Sequence, residues 1–216
     1  AVNYWLVNGT QQTEPFNGYK DEFFGLTITP SKKLTWNVNY YLGQEHPDVM
    51  YFPNGGAPAA APTVQGVPFE PITNAPKGKL HIFDSYVNWQ ASPKWTFAGE
   101  TDYEVERLYQ SSSPSHEDGG VLYVQYQLTP KLSFAGRGEY LSDRGGMFTG
   151  VTQALKETTA TMKYQFADGF DAFGEWRRDF SNRPFFYTST LGLLKSEQNT
   201  ATLGLVWWWG GKQGNW

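Results

Sequence analysis

Four carboxylates at every second position, Glu100, Asp102, Glu104 and Glu106, are the residues of this chain whose types and spacing point most directly to chemistry. On a β-strand, residues two apart share a face and stand about 7 Å from one another. Such a row could act as an acidic wall that attracts cations, as rings of charged side chains do in channels. It could equally be a charge ladder that only stabilises a polar interior. Paired carboxylates for glycoside cleavage are a third use, but that chemistry needs a cleft and one carboxyl with a raised pKa. The sequence supplies neither.

The histidines are His46, His81 and His116. His46 and the run His116-Glu117-Asp118 fall in stretches that read as external loops, where histidines beside acids are ordinarily solvated, so no metal site is expected of them. His81 and Ser85 lie on one face of one strand, about 13 Å apart, too far for a Ser–His hydrogen bond. The Gly-Gly pairs at 55–56, 119–120, 145–146 and 210–211 open no helix, so they are loop material rather than phosphate cradles. The absence of cysteine excludes disulfides, thiolate metal sites and a Cys nucleophile. No cofactor is implied, and the chain reads as no enzyme.

The elements that must position the acids come from the periodicity. Ten strand candidates are predicted at about 2–12, 20–28, 34–45, 80–90, 95–107, 120–128, 132–142, 156–166, 170–180 and 198–209. Most alternate with period two over about nine residues or more, longer than the usual globular strand. In 95–107 one face carries Trp95, Phe97, Gly99, Tyr103 and Val105, and the other carries the acids. The connections are of two kinds. Short turns with Pro-Lys or Asp-Gly fall at 29–33, 91–94, 129–131 and 167–169, whereas 46–79, 108–119, 143–153 and 181–197 are long and rich in Gly, Pro, Ser and Asn. In an up-and-down meander every second connection lies at the same end, so short turns share one end and long loops the other, as in outer-membrane barrels.

Composition permits that architecture. Aromatics make up 17% of the 216 residues and charged residues only 18%, which argues against disorder. No apolar run is long enough for a transmembrane helix, but a transmembrane strand needs only about 9–11 residues. A net charge of -4 with no basic run gives no electrostatic support to a nucleic-acid partner. The chain opens Ala-Val-Asn-Tyr-Trp, without an initiator Met or an apolar leader, and strand pattern begins almost at once, so the sequence reads as a fragment.

Aromatics gather near strand ends. Trp36, Trp89, Trp95, Tyr126, Tyr164 and Trp207 stand near the short-turn end, and Tyr103, Tyr140 and Trp176 are assigned to the other. Two such girdles, with small or aliphatic residues between, mark the two interfaces of a bilayer. The opposite face then lines a wet lumen. Its candidate pore-lining residues are Asp84, Asn88, Glu100, Asp102, Glu104, Arg137, Glu139, Lys163, Glu175, Arg177 and Asp179, with Tyr41, Tyr86, Tyr123, Phe173 and Trp208 as inward aromatics able to stack on sugars.

Two longer runs carry a family resemblance. They are Leu128-Thr-Pro-Lys-Leu-Ser-Phe-Ala-Gly-Arg-Gly-Glu-Tyr-Leu-Ser-Asp-Arg-Gly-Gly146 and Phe166-Ala-Asp-Gly-Phe-Asp-Ala-Phe-Gly-Glu-Trp-Arg-Arg-Asp-Phe-Ser-Asn182. With Leu6-Val-Asn-Gly9 and Gly43-Gln-Glu45, they resemble the OmpL-like β-barrel porin family of Gram-negative outer membranes, over the family's C-terminal half. Its members are longer, with a further N-terminal segment and a signal peptide. The resemblance implies a pore-forming protein without enzymatic activity.

The resulting expectation is an all-β, antiparallel up-and-down transmembrane β-barrel, a single domain over 1–216 that forms the C-terminal part of a larger barrel, with a long external loop at 46–79. Its expected function is that of an outer-membrane porin, a water-filled diffusion channel with a weak cation preference. Its partners are the lipid bilayer and small hydrophilic solutes or ions, and a homo-oligomer is compatible with the same residues. Two alternatives stay open at this level: a soluble β-sandwich of lectin type, and a plugged structural barrel whose loops bind a partner.

Overall fold

The computed structural model describes residues 1–10, 13–15, 17–45, 50–53, 69–72, 78–107 and 113–209. The strands in chain order are β1 (Val2–Val7), β2 (Asp21–Ser31), β3 (Leu34–Gly43), β4 (Met50–Pro53), β5 (Phe69–Ile72), β6 (Leu80–Gln90) and β7 (Trp95–Glu106). They continue with β8 (Ser115–Thr129), β9 (Leu132–Arg144), β10 (Gln153–Ala167), β11 (Phe170–Ser181), β12 (Phe186–Tyr187), β13 (Leu194–Lys195) and β14 (Glu197–Trp207). Ten of them form one sheet in the order β1-β2-β3-β6-β7-β8-β9-β10-β11-β14, each antiparallel to its neighbours. They fall on the ten predicted strands, although β1 ends at Val7, short of the expected 2–12. The pairs β4–β5 and β12–β13 are small separate hairpins inside two of the long links, and alternation over two to four residues is too short to announce them.

Burial in this sheet is inverted relative to a soluble protein. Among the described residues the buried hydrophobic side chains are Tyr41 and Leu80, whereas Asp21, Gln44, Glu117, Ser133, Asp143, Gln153, Glu157, Asp171 and Asp179 are all buried. Leu203 is 92% exposed and Leu122, in the middle of the sheet, is 72% exposed. A water-soluble sandwich buries its aliphatic face and exposes its charges. This sheet does the reverse, as a membrane barrel must.

Hydrogen-bonded rows climb obliquely across the sheet. The row that begins with Trp36, three residues from its turn, passes through Val87, Gly99, Leu122, Gly138 and Thr158 and reaches Arg178 near the loop end of β11. That stagger is the shear needed to curl a sheet towards closure. It also explains Trp176. This outward residue lies midway along β11 rather than near a strand end, and it shares a row with Phe97 and Trp89 close to the short turns.

Outward aromatics cluster at the turn end: Trp95 lies 4.5 Å from Tyr126 and 5.9 Å from Phe97, and Trp89 lies 5.7 Å from Phe97, between ring centroids. At the loop end Tyr40, Phe83 and Tyr103 are paired across β3, β6 and β7. The polar tips have partners. Trp36 Nε1 donates to Ser85 Oγ at 2.9 Å, the Tyr40 hydroxyl meets His81 Nδ1 at 2.7 Å, and the Tyr103 hydroxyl meets His116 Nδ1 at 3.0 Å. His81 and Ser85 thus each serve an aromatic of the outward face.

One position shows how tightly the inner face is built. Phe173 on β11 lays its ring over Gly204, its cross-strand partner on β14, where a Cβ would collide with the Cε1 and Cζ atoms. An aromatic over a glycine pins register in curved sheets. Gly204→Ala is expected to destabilise the folded protein by about 1–3 kcal/mol, since the ring must leave its place. A denaturant titration in detergent would check it, and an unchanged midpoint would contradict the packing argument.

Candidate functional site

The inward face of β6, β7 and β8 carries the acids. Register sets Asp84 opposite Asp102, Tyr86 opposite Glu100, Asn88 opposite Ala98 and Ile82 opposite Glu104. On the far side of β7, Glu104 faces Glu117 and Asp102 faces Gly119. Carboxylate oxygens of Asp84, Glu100 and Asp102 all lie within 4.8 Å of one another. Asn39 on β3 donates its amide to Asp84 Oδ2 at 2.5 Å and fixes that carboxylate in orientation.

Glu117 corrects the loop reading of His116-Glu117-Asp118. These residues belong to β8, which begins at Ser115, so the expected link of 108–119 is shorter than its composition suggested. The Gly119-Gly120 pair misleads here because it lies within the strand. Its purpose is room: a Cβ on Gly119 would stand 2.5 Å from Glu117 Oε1, so only glycine lets that carboxylate fold over the neighbouring position. By contrast, Gly145 and Gly146 do form a turn, with φ of 107° and 76°. Pairs 55–56 and 210–211, His46 and most of the 46–79 link lie outside the described residues.

The bases stand on the other half of the face, and each is paired locally. Arg137 on β9 bridges Glu139 on its own strand and Glu157 on β10, the latter at 2.6 Å. Arg177 on β11 holds Asp179 at 2.7 Å, and Lys163 on β10 meets Asp171 at 3.4 Å. Thr161 donates to Glu175 at 2.9 Å. The predicted inward residues are therefore brought to one continuous face, with two separate neighbourhoods. Glu157, Glu117 and Asp171 are important members that sequence reasoning omitted. Glu157 and Asp171 share the alternation of Lys163 and Glu175, which was the signal available for them.

A cavity of about 520 Å³ opens over the middle of this face, bordered by Tyr86, Glu100, Tyr123, Arg137, Glu175 and Arg177. A second, of about 310 Å³, lies beside β1 and is more apolar, with Trp5, Phe23, Tyr41 and Ile82 on its wall and Asp84 at its edge. Tyr86, Tyr123, Phe173 and Tyr41 all face inward by register. At the loop end, Asp143 is fully buried and accepts hydrogen bonds from the backbone N–H groups of Met147, Phe148 and Thr149 at 2.7–3.1 Å, which ties the 145–150 turn to the sheet. The wall thus presents charged and polar groups to the two cavities.

Comparison with solved structures agrees with the fold. OmpT, an outer-membrane protein of Vibrio cholerae, superposes with a TM-score of 0.55 at 12% identity over 88% of this chain and 56% of its own. The NanC porin superposes with a TM-score of 0.51 at 12% identity, over 96% of this chain and 92% of its own. The chain therefore spans little more than half the length of OmpT. No curated protein sequence matches it. The family model described as "Putative beta-barrel porin-2, OmpL-like" matches residues 1–207, and the chain belongs to that family.

Proposed function

We propose that the complete protein forms a water-filled diffusion channel for small hydrophilic solutes, with a weak preference for cations. Membership of the family, together with the inside-out sheet, locates the chain in the bacterial outer membrane. The observation that carries the cation preference is the imbalance of the inward face. Its bases, Arg137, Lys163 and Arg177, are each ion-paired to a carboxylate, whereas none of the described ion pairs involves Asp84, Glu100, Asp102, Glu104 or Glu117. Uncompensated negative charge beside a wet path raises the local concentration of cations.

Reconstitution of the complete protein in a planar bilayer tests the reading. Stepwise conductance is expected, with a reversal potential under a salt gradient whose sign reports cations as the favoured carriers. A bilayer that shows no steps would refute the channel and favour a plugged structural barrel. Steps with an anion-selective reversal potential would refute the preference alone.

A further inference from the structure

We propose that Asp84, Glu100 and Asp102 hold a hard divalent cation of calcium size on the wall of the lumen, with Glu117 flanking the site on β8. The three carboxylates come from two adjacent strands, and their oxygens lie within 4.8 Å of one another. Oxygen ligands surround Ca²⁺ at about 2.3–2.6 Å, so two on opposite sides of one ion stand up to about 5 Å apart; Mg²⁺, at about 2.0–2.1 Å, demands a tighter set. Carboxylate oxygens are the ligands such cations take, and the absence of sulfur and imidazole from the group disfavours softer metals.

Two further observations point to a ligand rather than to a mere cluster of acids. Glu117 is only 2% exposed, yet its Oε1 atom has no hydrogen-bond partner. That oxygen is the leading atom of the side chain. It lies 2.5 Å from where a Gly119 Cβ would be, and Gly119 stands opposite Asp102, whose own Cβ is 3.8 Å from the same point. A buried carboxyl oxygen is thus folded over the glycine opposite Asp102 and left unsatisfied, a state that costs free energy unless a ligand answers it. Asp84 presents the same condition from β6: Asn39 occupies Oδ2, and Oδ1 is buried without a partner.

Among the described residues the surroundings offer no protein cation in exchange. Asp84 stands directly opposite Asp102, and like charges in that position repel. The neighbouring inward positions are Asn37 and Asn39 on β3, Gly119 and Val121 on β8, and Glu139 on β9. Arg137, on β9, is engaged by Glu139 and Glu157. Solvent access is available from both sides, because Asp84 borders one inward cavity and Glu100 the other.

Terbium, a calcium-sized luminescent ion, is the probe, because Tyr86 faces Glu100 across the register and can sensitise it. Titrating Tb³⁺ into the complete protein in detergent should give a saturable emission that calcium displaces, with a calcium Kd on the order of 10⁻⁴ M, as in extracellular calcium modules. Asp84→Asn and Glu100→Gln should each weaken binding at least about tenfold, the loss of one charged ligand, while Glu197→Gln, on β14 and paired with Arg178, leaves it unchanged. Emission that rises without saturating, or that is the same in these variants as in the unmutated protein, would overturn the site. Should the variants not fold, equilibrium dialysis of calcium against the unmutated protein decides: one bound ion per chain supports the site, and none refutes it. The proposal rests on the inward face being wet, not on conduction. Neither readout involves conductance, so its failure and the failure of the channel reading are separately visible.

Discussion

Replacing Asp102 by Asn together with Glu104 by Gln lowers the cation-to-anion permeability ratio of the reconstituted channel by about five- to tenfold at 0.1 M salt. Coulomb's law sets the size of the effect. A unit charge about 7 Å from a passing ion, in water-like surroundings, is worth about 0.6 kcal/mol, and screening at 0.1 M roughly halves it. Two charges removed from one wall therefore change the local cation excess about threefold, and the anion deficit moves the opposite way. The effect must shrink at 1 M salt, where the screening length falls to about 3 Å. Reversal potentials measured with a chelator present keep bound divalent ions out of the comparison. A ratio that does not move would mean that the acids of β7 do not border the path of the ions.

Leu122→Arg should prevent or severely weaken insertion, costing about 2–4 kcal/mol, while Val121→Lys, its chain neighbour, costs less than about 1 kcal/mol. Leu122 stands outward between Gly99 and Gly138, 72% exposed, with no side chain on either flank to shield a charge from hydrocarbon. Val121 stands inward between Glu100 and Glu139, where a lysine finds two carboxylates. A soluble sandwich reverses the order: the exposed leucine would tolerate arginine, and the valine would be core. Folding titrations into lipid vesicles, followed by the migration of folded and unfolded bands on a gel, read the two costs directly. Equal effects, or the larger effect at Val121, would undo the assignment of faces.

Much of this was legible before any coordinates. The spacing of Glu100, Asp102 and Glu104 fixed a shared face, because a strand has a period of two and nothing in that stretch breaks it. Turns such as Thr129-Pro130-Lys131 announce themselves through Pro, and the ten long strands follow from what lies between. What was not legible is register. That Asp84 meets Asp102, or that Arg137 bridges to Glu157, depends on how far one strand slides against the next, and one residue of slip would exchange the faces. Glycine misled for a related reason. Gly119-Gly120 has the composition of a turn, and only the buried Glu117 side chain shows why a strand should tolerate the pair. Asp143 is similar: its partners are the backbone N–H groups of a turn four to six residues further on, which no side-chain pattern signals.

In the large sheet every strand pairs only with the large-sheet strands before and after it in the chain. Inheritance acts on such a sheet in units of a hairpin. Duplicating a segment such as β8–β9 adds two strands and widens the circumference, yet leaves every other register as it was, and deleting one narrows it with equally little disturbance. The same ten-stranded stretch can therefore match most of one barrel and little more than half of another, as it does with NanC and OmpT. Barrel girth becomes a quantity that a lineage can change by copying a gene segment, while residues paired within a retained hairpin, such as Asp84 and Asp102, keep the neighbours they had.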